Sequence, residues 1–124
     1  YGATAFCNYY GWRLPTEWEW QAVADYLGGY TYGCGGSINN SIANYFNSVH
    51  PYGTTNVGSF GLFGYGMADM AGNVYEWTST VWGVTYRRVR GGCWDSDPAN
   101  CTVSYTLGFL PDRMEYYTGF RVCY

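Results

Sequence analysis

Helical periodicity in this chain is confined to its first quarter, and that restriction decides what the remainder can become. Ala3, Phe6, Cys7 and Tyr10 fall at i, i+3, i+4 and i+7, one face of a short helix stopped by Gly11. Thr16-Glu17-Trp18-Glu19 predicts a second helix. The Thr16 hydroxyl can accept from a free amide of the first turn while Glu19 reaches back, an arrangement worth about 1 kcal/mol. Trp20, Val23, Ala24 and Leu27 continue the spacing until Gly28-Gly29 ends it. Residues 30–66 are rich in Gly, Asn, Ser and Tyr without periodicity, a long irregular stretch of the kind that a metal or a function usually orders. Strand-like runs appear only later, at Val74–Thr78, Tyr86–Arg90, Cys101–Ser104 and Gly119–Cys123. Helices first and short strands afterwards predict an α+β domain with a small antiparallel sheet.

The 124 residues suffice for one domain, 1–124, and no internal repeat or linker divides them. Aromatic residues make up 22% and charged residues 12%, ample apolar content to offset the entropy of ordering. There is no Lys, and the net charge is −3, which argues against nucleic-acid binding by phosphate neutralisation. The basic run Arg87-Arg88-Val89-Arg90 alternates like a strand, and a structural role is expected for Arg90. No apolar run approaches the ~20 residues needed to span a bilayer, so membrane insertion is not expected. The chain opens directly on Tyr1-Gly2-Ala3 with no signal peptide within it, as expected of a processed or trimmed chain, so its opening carries no targeting information. Cys7, Cys34, Cys93, Cys101 and Cys123 form no CxxC pair, and their odd number leaves at least one unpaired thiol in a monomer. Two readings stay open: buried free thiols throughout, or one disulfide joining Cys101 to Cys123.

The last third resembles a fixed frame around a changeable filling. The frame is Arg90-Gly91-Gly92, Trp94, Ala99–Ser104, Pro111-Asp112 and Gly119–Val122. The filling is Tyr105–Leu110 and Arg113–Tyr117, where aromatic and aliphatic residues stand beside Gly and charged residues without evident period. Chemistry requires a few exact residues, whereas recognition requires a rigid support and a varied surface. This segment has the second character.

Arg13-Leu14-Pro15-Thr16-Glu17-x-Glu19-Trp20, Ala43-Asn44-Tyr45, Val57–Leu62, Asp69–Val74-x-Glu76-Trp77-Thr78, Arg90-Gly91-Gly92-x-Trp94 and Gly119-Phe120-Arg121 follow in order along nearly the whole chain. Together they resemble the formylglycine-generating-enzyme (sulfatase-modifying factor) family. The resemblance implies a C-type lectin-like fold with two helices, a small twisted sheet and much irregular structure. The family normally has a strand before the first helix, where this chain opens. Oxidising members hold copper between two cysteines five positions apart, and laid on this sequence these fall on Ser96 and Cys101. A lone thiolate holds Cu(I) far less well than a pair, so no copper is expected. The ergothioneine-type relatives use histidine-ligated iron, and here His50 is the one histidine, beside Pro51, expected as a surface turn residue. The resemblance also implies a calcium site at Asp69, Gly72, Val74 and Glu76, whose oxygen donors suit Ca²⁺. The competing reading pairs Glu76 with an arginine and lets Asp69 cap a turn. A second family calcium site begins at Asn44-Tyr45 but lacks its later carboxylate here.

A narrower resemblance covers residues 89–123. The frame RGG-x-W, ANC-x-VS, PD and GFRV is similar to the variable region of diversity-generating retroelement proteins, whose lectin-type domain is of this same family. In those, error-prone reverse transcription at template adenines changes residues on one exposed face. The resemblance implies a ligand-binding set of Cys93, Asp95, Ser96, Asp97, Tyr105, Thr106, Leu107, Gly108, Phe109 and Leu110. It continues through Arg113, Met114, Glu115, Tyr116 and Tyr117, where Met114 and Glu115 require another template codon than Asn or are fixed. Cys93 reads as an altered Ser. Such a surface would bind a protein or cell-surface molecule without catalysis, on a virion or a cell surface. Tyr and Phe supply stiff, amphipathic contact area, as in antibody loops. Left exposed, Leu107, Phe109, Leu110, Tyr116 and Tyr117 would form an apolar patch a monomer rarely keeps without purpose. Trp77, Trp94 and Phe120 are expected to pack beneath the sheet, and Arg90 and Arg121 to pair with carboxylates or loop carbonyls. The alternative is an oxidase or accessory protein of the formylglycine-generating family.

Overall fold

In a computed structural model, which describes residues 1–46 and 52–124, the first helix α1 runs Gly2–Tyr9. His50 lies outside the described residues. Only Cys7 of the expected apolar face is buried in α1. Phe6 and Tyr10 instead join Trp12, Phe120 and Tyr124 in a surface aromatic cluster. The second helix, α2, spans Glu17–Ala24 and starts by the mechanism its sequence predicts. Thr16 Oγ1 accepts from the Glu19 amide at 3.2 Å, and the Glu19 carboxylate accepts from the Thr16 amide at 2.8 Å. It ends before Gly28: Tyr26 and Leu27 already take positive φ, and Leu27 is exposed rather than on the apolar face.

The strands β1 (Tyr75–Trp82), β2 (Tyr86–Arg90), β3 (Thr106–Phe109) and β4 (Thr118–Phe120) lie in the order β3-β2-β1-β4. The sheet is mixed rather than antiparallel, because β4 pairs parallel to β1. Since β2 is antiparallel to both neighbours, β3 and β4 run the same way. Residues 110–117 must therefore travel back along the sheet as well as across it. Cys101–Ser104 is not a strand; Pro98–Cys101 forms a 3₁₀ turn, with proline at its start where a missing amide costs nothing. The strand falls instead inside the filling, where Tyr105, Leu107 and Phe109 alternate with Thr106 and Gly108.

Register divides the sheet into two faces. Glu76 is opposite Arg90 and Gly119, and Arg90 is opposite Thr106, so these share the inner face against α2. Trp77 is opposite Val89 and Phe120, and Val89 is opposite Leu107, so these share the outer face. Trp77 and Phe120 thus do not pack beneath the sheet: Trp77 is half-buried and Phe120 exposed, while Trp94 alone of the three is buried. On the inner side a cluster of Trp20, Ala24, Met70 and Val103 forms one core, and Cys34, Ala43, Ala71 and Cys101 form a second. The irregular segment before β1 is tied down by amides. Asn73 Oδ1 accepts from the Thr55 amide at 2.9 Å and from Asn44 Nδ2 at 3.3 Å. Gly72 sits at φ +76, where any side chain would also strike the Asn44 carbonyl.

Candidate ligand-binding face

The frame arginines are anchored on the inner face as expected. The buried Arg90 donates to the Val103 carbonyl at 2.8 Å and to Gln21 at 2.8 Å, and lies 3.3 Å from the Glu17 carboxylate. Burial pulls its guanidinium below its ordinary pKa, and the charge of Glu17 only partly opposes this. Glu17 was not anticipated from sequence; its place in the first turn of α2, next to a tryptophan, gives no sign that it is buried. Arg121 donates to both oxygens of Glu76 and to the Ala68 carbonyl, while Trp20 Nε1 donates to Glu76 at 2.6 Å. Burial lowers Arg121, yet the charge and hydrogen bonds of Glu76 outweigh it, and the guanidinium ends above its ordinary value. Removing one partner of such a pair leaves a buried charge uncompensated, at a cost of roughly 3–5 kcal/mol.

The positions named for calcium do not fit a shared ion in this arrangement. Glu76 already has a cation on it, and a dication beside Arg121 would meet its charge directly. Asp69 Oδ2 accepts from the Gly58 amide at 2.7 Å, capping that turn, and the Gly72 carbonyl accepts from the Val74 amide at 3.0 Å. Among the described residues no three His, Cys, Asp or Glu side chains converge as a metal site.

On the outer face the filling separates into layers. Cys93 and Ser96 are interior, at 6% and 5% exposure, and cannot touch a ligand as expected of them. They close a turn: Ser96 Oγ accepts from the Cys93 amide at 2.9 Å and donates to the Tyr75 hydroxyl at 3.2 Å. Burial pushes that hydroxyl up to about 12. Tyr105, Leu107, Phe109 and Tyr117 form the next layer, half-buried against Tyr75, Val89 and Cys93. Phe109 stands edge-on to Tyr75, Trp77 and Tyr117 with ring centres 5.9, 6.0 and 6.2 Å away. These four hold the face together as well as shaping it, because the return path of 110–117 lays Tyr117 over the strands. Thr106 and Gly108 alternate with these and face the inner side, opposite Arg90 and Arg88, so they do not join the binding face expected of them. Gly108 lies under the Trp82 ring, where a side chain would require Trp82 to swing out.

Asp95, Asp97, Leu110, Arg113, Met114 and Tyr116 are the exposed layer, with Met114 at 94% and Tyr116 at 76%; Glu115 is half-buried and pairs with Arg113 at 2.7 Å. Residues 111–116 wall a groove of about 890 Å³ that runs over the outer face toward the start of α1. Trp77 of β1, Arg87 of β2 and Phe120 of β4 contribute to it, though none belongs to the filling. Sequence reasoning missed Trp77 and Arg87 as site residues; only the register reveals that they share a face.

All five cysteines are free, Cys7, Cys34, Cys93 and Cys101 being buried and Cys123 half-buried. The disulfide alternative for Cys101 and Cys123 is therefore not realised. Burial pushes the Cys101 thiol to about 12 and the Cys34 thiol to about 11. No helix among the described residues is long and apolar enough to cross a membrane.

The model of the sulfatase-modifying factor enzyme 1-like domain matches residues 1–124. The serine/threonine-protein kinase pkn1 of Chlamydia caviae is 40% identical over 143 residues, covering 98% of this chain and 22% of the kinase. The formylglycine-generating enzyme of Mycobacterium tuberculosis is 38% identical over 93 residues, covering 63% of this chain and 30% of that protein. This chain thus spans less than a third of either relative. Among solved structures, Treponema denticola variable protein 1 superposes with a TM-score of 0.80 at 25% identity, over 90% of this chain and 46% of that one.

Proposed function

This chain belongs to the sulfatase-modifying factor enzyme 1-like domain family, and on that premise we propose that it is a non-enzymatic ligand-binding domain diversified by a retroelement. One observation carries the reading: frame and filling part company in space. Arg90 and Arg121 are fixed under the sheet in ion pairs, whereas Met114 and Tyr116 stand exposed along a groove on the other side, with the exposed Leu110 beyond it. A fold arranged so can exchange its outer residues without disturbing its charged core. The likeness to Treponema denticola variable protein 1 supports the same reading. Against the oxidase alternative, the family's two copper positions fall on the buried hydroxyl of Ser96 and on Cys101, so a single thiol stands where the pair would be.

The test is genetic. DNA neighbouring the gene is expected to hold a near-copy of the region encoding residues 89–123, differing mainly at template adenines, beside a reverse transcriptase. Oxidation of a cysteine peptide to formylglycine by the copper-loaded protein would overturn the reading.

A further inference from the structure

Five of the six arginines pair with a carboxylate: Arg13 with Glu19, Arg88 and Arg90 with Glu17, Arg113 with Glu115 and Arg121 with Glu76. Arg87 has no such partner among the described residues; its one side-chain hydrogen bond goes to the neighbouring Tyr86 carbonyl at 3.3 Å. Strand alternation explains the difference. Arg88 points to the inner face and Glu17, while Arg87, opposite Phe109, points to the outer face and lines the groove. An uncompensated, half-buried guanidinium in the same groove as Trp77 is a ready seat for a planar anion.

From this, and resting on the ligand-binding reading, we propose that the groove takes an acidic segment of a partner protein. A carboxylate of the segment sits on Arg87, and its apolar neighbours lie against Trp77, Met114 and Tyr116. Two acids line the same groove. Glu115 is neutralised by Arg113, and Asp112 is exposed, where solvent screens it. Arg87 and Trp77 lie outside the 89–123 segment, so they remain while the walls change. The fixed arginine then supplies attraction common to every variant, and the diversified wall selects among acidic segments. The groove volume of about 890 Å³ suits a few residues of chain, and the exposed Leu110 extends contact beyond it.

The experiment pans the protein and its Arg87→Gln, Arg87→Lys, Asp112→Asn, Met114→Ala and Tyr116→Ala variants against a displayed library of random peptides. Selected peptides are then measured as synthetic acid and amide pairs. Recovered sequences should carry Asp or Glu at a shared position, and the amide form should bind about tenfold more weakly. Arg87→Gln should lose the same factor and all preference for the acid, with an unchanged melting temperature. Arg87→Lys should keep part of the preference, and Asp112→Asn should tighten binding about twofold. Indifference to the acid, or an acid preference that survives Arg87→Gln, overturns the inference. If Met114→Ala and Tyr116→Ala abolish binding while Arg87→Gln does not, the anchor falls and the ligand-binding reading stands. If none of these variants alters binding, both fall.

Discussion

The two faces of one four-stranded sheet solve opposite problems. Beneath it, charged groups are buried or half-buried and paired: Glu76 with Arg121 and Trp20, Glu17 with Arg90, whose Nε alone lacks a partner. Above it, aromatic rings are stacked in depth, from the interior Tyr75 through the half-buried Phe109 and Tyr117 to the exposed Tyr116. Buried ion pairs demand particular partners at particular distances, and rings in van der Waals contact accept any neighbour of suitable volume. The charged, directional interactions are concentrated beneath the strands, so exchange of exposed residues above them, as proposed, would leave those pairs intact.

The comparison breaks first at Glu76. Glu76→Ala should strand the half-buried Arg121 and lower stability by roughly 3 kcal/mol or more in chemical denaturation, enough to prevent folding at 37 °C if the margin is ordinary. Arg90→Ala should cost about 3 kcal/mol by leaving the Val103 carbonyl without its donor and the buried Glu17 with only Arg88, 3.9 Å away. On the outer face, Phe109→Ala should cost about 1–2 kcal/mol, because the ring is only half-buried. Were it to cost as much as Glu76→Ala, the layering of the outer face would be wrong. Alkaline pH sharpens the contrast from the interior. Burial raises Cys101 and Cys34 from an ordinary value near 9.0 to about 12 and about 11, so the fold loses stability as pH rises from about 9 toward 12 and not below. A denaturation series across that range should show the fall, less steeply in Cys101→Ala once its own packing loss is subtracted. The smallest stability effect belongs to Met114→Ala and Tyr116→Ala, each within about 0.5 kcal/mol of the parent.

Local chemistry was legible in the sequence, and long-range pairing was not. The Thr16–Glu19 box, the anchored roles of Arg90 and Arg121 and the lectin-like architecture follow from motifs whose partners are close by or whose order is distinctive. The parallel β4 depends on how residues 110–117 cross the sheet, which no periodicity records. The strand at Thr106–Phe109 did leave a trace, since Tyr105, Leu107 and Phe109 alternate with small residues; aromatic composition masked the period of two. Leu107 and Phe109 lie half-buried on that strand, whereas Tyr116, in the turn that follows, is exposed, a distinction composition alone does not make. Cys93 and Ser96 lie next to the exposed Asp95 and Asp97 in sequence, but the turn folds their side chains inward. Arg87 and Arg88 are adjacent and indistinguishable until the register assigns them to opposite faces.

The central claim is that stability resides under the sheet and recognition above it. Thermal unfolding of a single variant carrying Ser at Leu110, Arg113, Met114 and Tyr116 together, beside Glu76→Gln alone, tests it most directly. The fourfold variant should melt within about 5 °C of the parent and the single one at least about 10 °C lower. A fourfold variant that melts as low as Glu76→Gln, or a Glu76→Gln that melts with the parent, would contradict the account.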